Sequence, residues 1–322
     1  METVPNYAVA LQHAVPLNNA YALPRQLSAV PPMAVFLAEF HSSMNMTGLR
    51  YFSGNVDRFL VFCLLLRTSM SQADHRGTIS VHSAAMSLGR PFETVRRHIC
   101  ALLDARVCER TRNGVTLSSA FWNRPENWQQ LRYSHDCFVR LIDDAMAMGL
   151  IDTTTVPSGS NTGLSLTDGV CAAIDLFLAL VDSNRSLCAE PIDLAIFSVV
   201  LHANHQLLKA DRAMGGFNAS AGLLPRHAVR VAQIARALST PDTTVRRRVA
   251  PLTGEHGPYK RTPSGLLVST ECLAMCGRPS ESNNAKHGSI RLIIHRAIAA
   301  GLSLRDPARS YCDGRPPSPR ID

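Results

Sequence analysis

The stretch Leu88-Gly-Arg-Pro-Phe-Glu-Thr-Val-Arg-Arg-His-Ile99 returns later in the chain as Leu238-Ser-Thr-Pro-Asp-Thr-Thr-Val-Arg-Arg-Arg-Val249. Leucine, proline and the run Thr-Val-Arg-Arg fall in register at an offset of 150. Downstream, Arg110-Thr-Arg-Asn-Gly-Val-Thr-Leu-Ser118 matches Arg261-Thr-Pro-Ser-Gly-Leu-Leu-Val-Ser269 at an offset of 151. Further on, Ile142-Asp-Asp-Ala-Met-Ala-Met-Gly-Leu150 matches Ile294-His-Arg-Ala-Ile-Ala-Ala-Gly-Leu302 at 152. Three matches in one order, drifting a residue at a time, are hard to obtain by chance and point to an internal duplication.

Upstream, the apolar helix around Asp57–Leu66 pairs with Asp193–Leu201 at an offset of only 136, so the second copy carries a longer insertion. That insertion is placed at 211–224, where Gly-Gly, Asn-Ala-Ser and Ala-Gly read as loop. Each unit then consists of an apolar helix, a helix-turn-helix, a hairpin and a closing helix. The expected organisation is a poorly ordered arm 1–30, a first repeat 31–152, a linker 153–166, a second repeat 167–305 and a poorly ordered tail 306–322.

Within the first unit, Val81–Leu88 forms a short helix with Ala84, Ala85 and Leu88 on one side, and Gly89 supplies the positive φ of a tight turn. Pro91 reads as the first residue of the next helix, with Glu93 in its first turn. In the second unit Thr240 reads as a cap before Pro241, and Ser239 replaces the turn glycine. The second helix of each pair buries Val95, Ile99 and Leu102, or Val245, Val249 and Leu252, at i, i+4, i+7. Glu93, Arg96, Arg97 and in part His98 then face solvent, as do Thr243, Arg246, Arg247 and Arg248 in the second copy. Short strands at Val107–Thr111 and Val115–Leu117 flank Asn113-Gly114, a strong hairpin signal, and Tyr259–Thr262 and Leu266–Val268 flank Pro263-Ser264-Gly265. The expected fold is mainly α with small β-hairpin wings, arranged as two tandem units.

A Leu-Gly-x-Pro-x-x-Thr-Val-Arg-Arg core followed by a hairpin resembles the bacterial winged helix-turn-helix transcriptional regulators, in the broad company of GntR-, MarR- and Crp-type readers. The likeness covers about 40 residues per copy, and the flanking helices resemble no known sensor domain. It implies double-stranded DNA as partner. The implied DNA contacts are Pro91, Glu93, Thr94, Arg96, Arg97 and His98 with Arg110, Arg112 and Asn113 of the first wing. In the second head they are Thr243, Thr244, Arg246, Arg247 and Arg248 with Lys260 and Arg261. A homodimer and an RNA polymerase contact stay open as further partners. So do two rival functions: a plasmid or phage replication initiator with tandem winged domains, and a chain in which one head has become a protein-interaction or dimerisation surface.

Charge agrees with an anionic partner. The net charge is +8, and only Lys209, Lys260 and Lys286 of the 33 basic residues are lysines. Arginine suits forked contacts to phosphate and to guanine edges. The segment Arg226–Arg261 holds eight basic and two acidic residues, and Arg76–Arg112 seven and three, which leaves the rest of the chain slightly acidic.

Other classes fit less well. Phe59–Leu66, eight apolar residues closed by Arg58 and Arg67, falls far short of the ~20 needed to span a bilayer. No secretion signal is read at the N-terminus, and nine scattered cysteines fit a reducing compartment, so a cytoplasmic, nucleoid-associated protein is expected. Cys272 and Cys276 lack the tighter spacing of a structural zinc site, and no phosphate-cradling loop or nucleophile elbow is present. Neither enzyme activity nor a cofactor is expected. The apolar helices Met33–Phe40, Arg58–Leu66, Gly169–Val181 and Pro191–Leu201 read as core, with Asp175 and Asp193 as conspicuous acids to be capped or paired.

Overall fold

Two apolar helices open each half of the chain, and each pair leads into a shorter, more polar set of elements. The computed structural model describes residues 32–72, 74–151, 163–213, 222–254, 257–276 and 281–322. The arm 1–30, the linker residues 153–162 and most of the insertion 211–224 lie outside them. The fold is mainly helical with two small antiparallel hairpins. The first half runs α1 (Pro32–Tyr51), α2 (Val56–Ser69), α3 (Val81–Leu88), α4 (Phe92–Asp104), β1 (Cys108–Thr111), β2 (Gly114–Leu117), α5 (Ser119–Trp122) and α6 (Pro125–Ala147). The second runs α7 (Leu166–Ser183), α8 (Pro191–Ala213), α9 (Val231–Ala237), α10 (Asp242–Val249), β3 (Tyr259–Thr262), β4 (Gly265–Val268), α11 (Thr270–Cys276) and α12 (Glu281–Ala299). Because α8 continues to Ala213, the first residues of the expected loop at 211 are helical instead.

The turn between the paired short helices is built alike in both halves. Gly89 takes φ 56° and Ser239 φ 51°, both left-handed. The Arg90 amide then donates to Ala85 O at 3.0 Å, and the Thr240 amide to Ala235 O at 2.9 Å. Pro91 and Pro241 sit one place earlier than the sequence implies. Each has extended ψ (135° and 139°) and precedes the first helical residue, so Glu93 becomes the second residue of α4. Thr240 is not a cap either; it is buried, and its hydroxyl donates to Leu238 O at 3.0 Å.

Both hairpins place their glycine after the turn rather than inside it. Thr111 pairs with Gly114 and Thr262 with Gly265, so the two loop residues are Arg112-Asn113 and Pro263-Ser264. Asn113-Gly114 is therefore not the central pair of the turn. The reason lies beside the hairpin, where Ile79 bridges Val115 and Val229 bridges Leu266 as short third strands. A Cβ on Gly114 would lie 2.4 Å from Ile79 O, and one on Gly265 2.3 Å from Val229 O. With φ of 144° and 140° these positions also disfavour any other residue. Gly114→Ala is expected to destabilise the chain by about 2 kcal/mol or more through backbone strain and this clash. Urea unfolding checks it, and an unchanged midpoint would refute the close approach.

One continuous apolar core gathers residues from both halves. Helix α1 packs on α6 and α8, and α7 packs on α2, α6 and α12. Asp175 finds its partner here: Arg67 of α2 donates to its two oxygens at 2.7 and 3.2 Å. The short-helix turns also dock across the halves. Arg185, just after α7, donates to Leu88 O at 2.8 Å, and Gly54, just before α2, lies against Ser239 and Thr240.

The tail 306–322, expected to be poorly ordered, is a strap across this core. Its polar composition hides the fact that its backbone supplies hydrogen-bond partners to groups on three helices. Asp136 of α6 accepts the Cys312 amide at 2.7 Å and the Asp313 amide at 2.9 Å. Arg315 pairs with Asp143 and Asp144 at 2.8 and 2.6 Å, and Arg140 donates to Pro317 O at 2.9 Å. Beyond, His202 of α8 bonds Pro319 O at 2.9 Å and Arg236 of α9 donates to Asp322 O at 2.7 Å. Prolines in such a strap also limit the freedom of the unfolded chain.

His202 makes this docking sensitive to acid. Burial pushes its pKa down from 6.5 to about 4, outweighing the opposite pull of the Pro319 carbonyl. A base with a lower pKa when folded binds more protons when unfolded, so stability is full above pH 6.5 and falls as pH drops toward 4. The loss approaches about 3 kcal/mol at the acid end, from roughly 1.4 kcal/mol per unit. Urea midpoints measured from pH 7 to pH 4 should show it, and His202→Gln should flatten the profile.

Candidate nucleic-acid interface

Helix α4 is strongly two-sided. Val95, Ile99 and Leu102 are buried against α2, α3 and β1, which turns Glu93, Arg96 and Arg97 outward. Pro91 is exposed at its start and Thr94 is half-buried. Arg96 does not swing freely. Its guanidinium grips Glu93 with two bonds of 2.8 and 2.7 Å, which lowers the Glu93 pKa and raises that of Arg96. Such a fork is held in a fixed orientation one turn from the helix start, although its exposure makes it worth little for stability. Arg97 enters no ion pair among the described residues.

Helix α10 repeats the arrangement with different chemistry. Val245 and Val249 are buried, Thr243, Arg246 and Arg247 are exposed, and Thr244 is half-buried. Leu252, expected in the core, is only half-buried, because the chain tightens into a 3-10 turn at Ala250–Leu252 after α10. Arg246 lies 4.0 Å from Asp242, a looser pair than Arg96 with Glu93. Arg247 enters no ion pair among the described residues.

Two expected contacts point the wrong way. His98 is buried, its pKa lowered mainly by desolvation despite the nearby Asp57 charge. Arg248 leans back to Asp193 at 3.7 Å, with its side chain 36% exposed. Asp57 and Asp193 occupy matching places in the first turns of α2 and α8, but their partners differ: Asp193 faces Arg248 on α10, whereas Asp57 pairs with Arg90 just before α4. Asp193 is itself pushed toward a higher pKa by burial, against the pull of Arg248. These two positions hold the helix to the core and leave the outward face to the arginine pairs.

The hairpins carry the other exposed bases. Arg110, Arg112 and Asn113 are exposed on the first, Lys260 and Arg261 on the second. Each hairpin is pinned from behind through the same backbone groups. In the first half the Leu117 amide donates to Ser69 Oγ at 3.1 Å, and the Thr116 hydroxyl donates to Gly77 O at 2.9 Å. In the second half Asn204 of α8 does both: its Oδ1 accepts from the Val268 amide at 2.9 Å, and its Nδ2 donates to His227 O at 2.8 Å and Leu266 O at 3.1 Å. Sequence reasoning missed Asn204, whose only signal is an amide on the inner side of an apolar helix. It also missed Arg90, which bridges Asp57 and Glu190 at 2.8 Å each. Two exposed apolar side chains, Met86 and Phe92, flank the α3–α4 turn, where the second copy has Arg236 and Asp242.

Among the described residues no helix is long and apolar enough to cross a membrane. No protein-family model, curated protein or solved structure matches this chain, and the functional reading rests on the arrangement of its side chains.

Proposed function

We propose that this chain binds double-stranded DNA through two winged helix-turn-helix heads that arose by internal duplication, and that it acts as a sequence-specific transcriptional regulator. One observation carries the reading. Arg96-Arg97 and Arg246-Arg247 stand outward at equivalent places on helices built by the same turn, each beside a hairpin with exposed basic residues. A short helix that offers arginines from its early turns suits the major groove, and a basic hairpin suits the adjoining phosphates.

The shared core favours two heads acting as one unit. With α1 on α8 and α7 on α2, α6 and α12, neither head is tethered by the linker alone. Their half-sites should then lie one helical turn, ~34 Å, or a multiple apart. Sequences selected from a random duplex pool supply the target, and footprinting on it should show two protected half-sites. Inserting five base pairs between them should abolish tight binding by rotating one half-site to the far side. A single protected groove would assign reading to one head, and absence of any selected duplex would refute the proposal.

A further inference from the structure

Three different metal-ligating atoms meet where the strap crosses α6. His135 and Asp136 are neighbours on that helix and both are buried, whereas Cys312 arrives on the strap and is exposed. His135 Nδ1 lies 2.9 Å from Asp136 Oδ1 and 3.5 Å from Cys312 Sγ, and the three donor atoms all fall within 4.8 Å of one another. Among the described residues no other three such side chains converge in this way. We propose that His135, Asp136 and Cys312 form a binding site for a thiophilic divalent cation of the zinc class.

The spacing fits. An ion with tetrahedral bonds of about 2.0–2.1 Å to nitrogen and oxygen and 2.3 Å to sulfur needs donor-to-donor edges of roughly 3.3 and 3.6 Å. The nitrogen–sulfur edge is already there, the nitrogen–oxygen edge must open by a few tenths of an ångström, and the oxygen–sulfur edge, within 4.8 Å, must close by up to about 1.2 Å. The carboxylate is held for the task by the Cys312 and Asp313 amides, one on each oxygen, and four lone-pair directions leave room for a metal bond. The exposed side of Cys312 gives an entry path and a place for water as fourth ligand.

The His135 ring is held with Nδ1 toward the cluster. Its hydrogen bonding runs through Nδ1 alone, since the buried Nε2 has no partner among the described residues, and an ion at Nδ1 would have to outweigh the cost of leaving the Nε2 proton unpaired there. Gly169 of α7 presses on this ring, where any Cβ would lie 1.9 Å from Cδ2, so the ring cannot turn away. Binding balances in charge and protons. The thiol releases one proton to solvent, the imidazole proton moves from Nδ1, where it is donated to Asp136, to Nε2, and thiolate plus carboxylate offset the two positive charges. The ion would fasten the root of the strap whose far end bonds Arg236 in α9.

The test uses the full chain, reduced and freed of metal, titrated with cobalt(II). A thiolate-to-cobalt charge-transfer band should saturate at one equivalent and be displaced by zinc(II). Cys312→Ser, at an exposed position, should abolish the band. It should also weaken zinc binding by at least the roughly 10–100-fold that loss of an outer-shell partner costs. Zinc should also slow tryptic cleavage after Arg309, an exposed arginine three residues before Cys312 and followed by Ser310, in the unaltered chain and not in Cys312→Ser. Absence of the band, or a band that survives Cys312→Ser, would overturn the site and leave the cluster as a hydrogen-bonded seat for the strap. Neither result depends on DNA binding.

Discussion

Arg96→Ala with Arg97→Ala should weaken binding to the selected duplex by roughly 30- to 20,000-fold, and Arg246→Ala with Arg247→Ala should do the same. The estimate takes about 1–3 kcal/mol for each base-reading arginine and about 1.4 kcal/mol per tenfold. All four side chains are exposed, so neither double variant should disturb folding. The two pairs are not interchangeable. Arg96 is oriented by Glu93, whereas Arg246 is only loosely tied to Asp242. Glu93→Ala should therefore relax base preference at the first half-site more than it lowers affinity. Arg248→Ala should leave the salt dependence near that of the unaltered chain, since this guanidinium is turned toward Asp193. A double variant that binds like the parent at matched salt would remove its head from the reading surface. Equal loss on selected and random DNA would make the arginines phosphate contacts, each flattening the log–log salt slope by roughly one unit.

The errors at His98 and Arg248 have one cause. The sequence pattern i, i+4, i+7 places Ile99 and Leu102 below Val95, but a buried helical face is wider than that stripe and includes i+3. His98 and Arg248 are each three residues after the buried valine, so both fall on the edge of the packed face, and Asp193 further draws Arg248 in. Pro91, Pro241 and Gly114 each lie one place from where the pattern puts them. The strands and short helices were still legible as elements, because each is written locally, in an apolar stripe, a turn glycine or a glycine beside short strands. The strap was not. Its order comes from carbonyls and amides meeting Asp136, Arg140, His202 and Arg236, and backbone groups look alike in every sequence. The mutual packing of the halves was hidden for a related reason, since an apolar helix does not say which neighbour it will bury against.

Asn204→Ala should be the most damaging single change behind the second hairpin, costing about 3 kcal/mol or more. The side chain is fully buried and makes three bonds, all to backbone. Its removal leaves the Val268 amide and the His227 carbonyl buried without their partner, and each such group costs about 1–3 kcal/mol. Leu266 O is less affected, because it also accepts the Val229 amide at 3.0 Å. The first half provides the control. There the equivalent amide and carbonyl are served by two separate side chains, Ser69 and Thr116, so Ser69→Ala should cost only about 1–2 kcal/mol with Gly77 O still satisfied. Urea unfolding of the two variants gives the comparison, and hydrogen exchange at the Val268 amide locates it. If Asn204→Ala costs no more than Ser69→Ala, the second hairpin is held by its apolar side chains alone. If it costs more and Val268 exchanges rapidly, one amide side chain fixes where Lys260 and Arg261 can reach.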